Sequence, residues 1–190
     1  MSNERVQRVA DRTIDVLVLG LGNVLLGDDG LGAAAVARLE AEYCVPPGVH
    51  VADGGTLGLS LLGLLTDAEH VILVDAVRAD GPPGALVRLD GKDVGSAVRD
   101  RLSTHQVGVA DLLDAAHLID RYPATVTLLG LIPAAIDLAV VRSAAVDDNL
   151  HELVAAIVRE VHSLGYEMVR EPEAADRPRP IRALARHFGM

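Results

Sequence analysis

Aromatic residues are nearly missing from this chain: no Trp, one Phe and three Tyr among 190 residues, 2% in all. A core built without them must come from Val, Leu, Ile and Ala. Cysteine is as scarce. Cys44 stands alone, which excludes an intramolecular disulfide and any cysteine-rich zinc site, and fits a reducing compartment. Lys92 is the single lysine, so no Gly-Lys-Ser/Thr phosphate loop can be written. Positive charge is in deficit, with 17 Lys and Arg against 27 Asp and Glu and a formal net charge of −10. Binding a phosphate backbone needs a basic surface, so no nucleic-acid partner is expected. No run of about 18 uninterrupted apolar residues occurs, and no membrane span or membrane partner is expected. The first residues, MSNERVQRVADRT, lack the apolar stretch of a signal peptide, which makes a soluble, cytoplasmic protein the expectation.

What is present is a globular composition, 50% hydrophobic and 23% charged. The length fits one domain, read here as residues 1–170. Residues 171–190, rich in Pro, Arg and Glu, read as a mobile tail.

Apolar runs and helical periods alternate along the domain. "VLVLG", residues 16–20, is continuously apolar, as in a strand buried on both faces. A helix follows over residues 32–43, and a short strand ends at Asp53. The loop "GGTLG" leads into a leucine-rich helix near residues 57–68. "HVILVDAV", residues 70–77, is the clearest strand, and residues 84–90 alternate like an edge strand. A helix is expected from about Gln106, a buried strand in "ATVTLLGLIP", and an amphipathic helix over residues 143–165. This order implies parallel strands joined by crossover helices: an α/β fold, a three-layer α/β/α sandwich with a mostly parallel twisted central sheet.

One stretch, "GLGNVLLGDDGLG" at residues 20–32, sits where such folds cradle a phosphate. A dinucleotide fingerprint needs a third glycine at position 25, where this chain has Leu25, although Asp53 could serve as its acidic residue. Asp28 and Asp29 at a helix start would repel phosphate. One of two adjacent carboxylates is expected to cap the helix, leaving the other free to point into a cleft. Ligands of open α/β sheets bind outside the carboxyl ends of the strands. Asp29 follows the first strand, Asp53 closes the second, and Asp75 sits near the end of the third inside an apolar run. A charge there is costly unless paired, hydrogen-bonded or metal-bound. His105, in "STHQVG", precedes a helix and could reach the same rim. Two carboxylates and an imidazole would make an open site for a borderline divalent ion. No nucleophile stands out, since Ser60 in "GLSLLG" is not a Gly-x-Ser-x-Gly elbow and Cys44 has no evident histidine partner.

Five blocks, "GLGNVLLGDDGLG", "DGGTLG", "VDAV", "HQVGVADLL" and "LLGLIP", occur in the order and at the intervals of one known family. From about Asp15 to Gly165 the chain resembles the hydrogenase maturation endopeptidases, which process the large subunit of nickel–iron hydrogenases. By motif, the resemblance implies that Asp29, Asp75 and His105 are both the catalytic residues and the metal ligands. The family often has Glu where this chain has Asp29. It further implies removal of a C-terminal extension from a nickel–iron hydrogenase large-subunit precursor, with nickel brought by that substrate. Hydrolysis would be of aspartic type or metal-assisted. The alternative of another class is a non-catalytic nickel-binding chaperone for the same subunit.

Overall fold

Apolar β-runs with a period of two, separated by helices, assemble here into one twisted sheet. The computed structural model describes residues 12–91, 93–94 and 106–171. The strands are β1 (Ile14–Leu21), β3 (Val49–Gly55), β4 (Ala68–Ala76), β5 (Leu86–Asp90) and β6 (Thr125–Leu131). Their order is β3-β1-β4-β6-β5, with all neighbours parallel except β5, which runs antiparallel to β6 at the edge. A two-residue pair that the sequence does not announce, β2 (Tyr43–Cys44) with β7 (Val169–Arg170), forms a separate antiparallel ribbon.

Alternation within each strand decides which layer a residue joins. Val16 and Val18 of β1, with Ile72 and Val74 of β4, face a core completed by α1 (Leu31–Glu42) and α4 (Ala144–Ser163). Leu17 and Leu19, with Val71 and Leu73, face a second core closed by α2 (Leu62–Thr66) and α3 (Gln106–Leu118). Each of the fully buried leucines Leu31 and Leu39 of α1 contributes about 1.5–3 kcal/mol through burial. The three-layer α/β/α expectation is met.

Some boundaries differ from the sequence reading. The leucine-rich helix expected over residues 57–68 is a 3₁₀ turn at Gly58–Leu61 followed by five residues of α-helix, because Ala68 already pairs with Ile14 as the first residue of β4. The last long helix starts one residue later than expected, with Ser143 as its N-cap accepting a hydrogen bond from the Val146 N–H. Cys44, two residues after the end of α1, is exposed in the ribbon. The expected tail, apart from Glu171, lies outside the described residues. No helix among the described residues is long and apolar enough to cross a membrane.

The connectivity places a crevice. After β1 the chain crosses to β3 on one side, then to β4 on the other side of β1. Connections therefore diverge at the carboxyl ends of β1 and β4, the switch point where open α/β sheets hold ligands. Helix α1 is pressed against those ends at Gly32. A Cβ there would lie 2.2 Å from the Leu21 carbonyl oxygen and 2.5 Å from that of Val74. Replacing Gly32 with Ala should push the helix off the sheet and cost about 3 kcal/mol or more, read from the urea midpoint. A variant as stable as the wild type would show that this contact does not seat α1.

Candidate active site

Leu21 ends β1, and Gly22 turns the chain with φ +112°, a conformation open to glycine. The turn also needs a residue without a side chain, because a Cβ on Gly22 would fall 1.8 Å from the Asp29 carbonyl oxygen. The same position lies 3.5 Å from Asp75 Oδ1. Gly22 is thus the point at which the two acidic segments meet. Its N–H donates to the Gly55 carbonyl, tying the end of β1 to the end of β3.

Asn23 builds the next step. Its side-chain oxygen accepts from Leu25 N–H and its carbonyl from Leu26 N–H, closing a local turn. Its own N–H donates to Asp29 Oδ2 at 2.8 Å. Asp29 belongs to a 3₁₀ turn, Gly27–Gly30, that precedes α1, and it is buried. Neither Asp28 nor Asp29 caps a helix through its side chain, contrary to the expectation for one of them.

Asp75 arrives from β4. Its Oδ1 accepts from the adjacent Ala76 N–H at 2.7 Å. No ion pair to Asp75 forms among the described residues. Burial, with the charge of Asp29 adding to it, pushes the Asp75 carboxyl up to about 8, and the Ala76 N–H opposes this only in part. A carboxyl in this state can hold a proton near neutral pH. It can also accept a cation, which would relieve both the desolvation and the repulsion from Asp29.

Asp28 has a different task, one the sequence reading missed. Its carboxylate accepts from the N–H groups of Ala134, Ala135 and Ser143 and from the Ser143 hydroxyl. Burial would raise its pKa, but these bonds outweigh burial and hold the carboxyl below the usual carboxylate range. It fastens both ends of the segment after β6 to the turn that carries Asp29. The acidic pair therefore divides its roles: Asp28 clamps the loop, and Asp29 faces the rim. Two signals bear on the clamp, the doubled aspartate and the polar Ser143 after an apolar segment, but the partners lie more than 100 residues apart.

Asp53 is exposed at the end of β3 and accepts from the Gly55 N–H, which shapes the loop beside Gly22. His105 lies outside the described residues. Among the described residues no three His, Cys, Asp or Glu side chains gather into a metal site, while Asp29 and Asp75 meet at Gly22, near enough for the charge of one to act on the other.

Comparison with known proteins shows the family. A family model described as hydrogenase maturation protease matches residues 33–160. The chain belongs to the hydrogenase maturation protease family. It is 35% identical over 147 residues to the hydrogenase 2 maturation protease of Escherichia coli K12, covering 75% of this chain and 90% of that one. It is 37% identical over 157 residues to the hydrogenase expression/formation protein HupD of Rhodobacter capsulatus, covering 82% and 75%. Among solved structures, the hydrogenase maturating endopeptidase HybD from E. coli superimposes with a TM-score of 0.80 at 31% identity, covering 83% of this chain and 98% of that one. This member of the family is a peptidase.

Two outcomes follow from the carboxylates. The folded pKa of Asp75, about 8, lies above its unfolded value of about 3.9, so the folded state binds the extra proton between those limits. Stability from this group is present at low pH and lost as pH rises toward 8. Asp75→Asn removes the loss, so its gain in urea midpoint over the metal-free wild type should widen from about pH 5 to about pH 8. A constant difference would mean that Asp75 ionises normally in the fold. Asp28→Ala leaves four donors without their acceptor and should cost on the order of 3 kcal/mol, with early hydrogen exchange at Ala134 and Ser143. Unchanged exchange at both amides would remove the clamp.

Proposed function

We propose that this protein is the endopeptidase that removes the C-terminal extension of a nickel–iron hydrogenase large-subunit precursor after nickel insertion. The observation that carries the reading is the buried pair Asp29 and Asp75 at the switch point of the sheet, in a chain of the hydrogenase maturation protease family. Nickel is treated as part of the substrate, arriving with the precursor. Asp29, Asp75 and His105 supply two carboxylates and an imidazole toward it, a donor set suited to a borderline divalent ion with positions left for other ligands.

The chain's own residues offer acid–base chemistry. A buried carboxyl with a raised pKa can take a proton from water attacking the scissile carbonyl and return it to the leaving amine. The metal, once present, supplies polarisation of the carbonyl or acidification of water. The exposed, unpaired Cys44 fits a reducing compartment, and we assign the processing step to the cytoplasm.

The test is cleavage of purified precursor, loaded or unloaded with nickel, followed by intact mass. The loaded precursor should lose its extension and the unloaded one should remain whole. Asp29→Asn and His105→Ala should each slow cleavage by about 100-fold or more while the melting temperature moves little. Binding of loaded precursor without any loss of mass would make the protein a nickel-binding chaperone instead. Equal cleavage of both precursors would remove nickel from the recognition step.

A further inference from the structure

Large aliphatic side chains stand in solvent beside the acidic pair. Leu138, Val140 and Val141 are 86%, 77% and 74% exposed, and Val24 and Leu25 are each more than half exposed. They occupy two segments, residues 22–26 after β1 and 133–143 after β6, that are stitched together. Gly27 N–H donates to the Ala139 carbonyl, and Ala139 N–H donates to that of Leu25, forming a parallel bridge between Leu26 and Ala139. Asp28 fastens the second segment at Ala134, Ala135 and Ser143.

We propose that these five side chains form a docking face for an apolar surface of the large-subunit precursor, held beside Asp29 by the Asp28 clamp. The proposal rests on the peptidase reading for the identity of the partner. Apolar side chains clustered in water gain nothing for the free protein, and such clusters mark contact surfaces. The occupant follows from continuity. Asn23, which donates to Asp29, lies in the first segment, and Asp28 adjoins Asp29 in the chain. A protein that delivers its chain to Asp29 therefore meets Val24, Leu25 and the bridged segment beside it. The fastening also has a purpose in binding, because a loop already fixed by backbone bonds and a buried carboxylate loses little freedom when covered.

The triple variant Leu138→Ser, Val140→Ser, Val141→Ser tests this, since all three side chains are already in solvent and their loss should not disturb folding. The control is Leu118→Ser, equally exposed at 86% but at the end of α3, next to the amino ends of the strands. Affinity for immobilised nickel-loaded precursor should fall at least about tenfold in the triple variant and stay within about twofold in the control. A triple variant that binds like the wild type overturns the docking face and leaves the peptidase reading standing. An equal loss in the control overturns it too, by showing the contact to be unspecific. Failure of the wild type to bind precursor overturns it likewise. A wild-type dimer in sedimentation that the triple variant converts to monomer gives the face to a second copy of the chain and overturns the proposal. If binding is lost in the triple variant but the wild type never shortens the precursor, the docking face stands and the peptidase reading falls.

Discussion

A carbonyl oxygen sits where the side chain of residue 22 would begin. That single close approach, of the Asp29 backbone to Gly22, sets most of what surrounds it. It folds the turn after β1 back over the carboxyl ends of β1 and β4, and it brings Asp29 to the rim where Asp75 ends its strand. Gly32 makes the matching contact one helical turn later, seating α1 on the Leu21 and Val74 carbonyls. Both contacts are backbone against backbone, so there is no flexible side-chain end to give way.

Around this contact the buried carboxylates Asp28 and Asp75 meet different fates, set by the hydrogen bonds that replace lost water and by the neighbouring charge of Asp29. Asp28 receives four and is held ionised. Asp75 receives one, from its neighbour Ala76, and its pKa rises. Asp29 is fixed by the Asn23 N–H on one oxygen. The satisfied group stabilises structure, while the poorly satisfied one keeps free energy available to a proton or a cation. Stability and chemistry are thus assigned to adjacent residues of one turn.

Much of this was legible in the chain. The continuous runs "VLVLG" and "HVILVDAV" announce strands covered on both faces, and a lone Asp75 inside the second announces a group with a purpose. Glycines on both sides of Asp28 and Asp29 announce a tight turn. The five blocks in order point to the family before any coordinate is known. What could not be read is equally specific. The short ribbon of Tyr43–Cys44 with Val169–Arg170 joins segments 125 residues apart and has no periodicity to betray it. The leucine-rich stretch after Leu57 has helical composition, yet the pairing of Ala68 with Ile14 ends the helix early.

The sequence by itself determined the layers, the positions of the apolar strands and the identity of the acidic residues, because these depend on local periodicity and on the cost of burying charge. The family motif pointed to Asp29 for the site, but tertiary structure alone decided that Asp28 clamps the loop after β6. Asp28 and Asp29 are the same residue type in the same turn, and in the fold the Ala134, Ala135 and Ser143 donors, brought to Asp28 by the path of the chain after β6, distinguish them. Hydrogen bonds between distant segments leave no mark in either segment's own pattern.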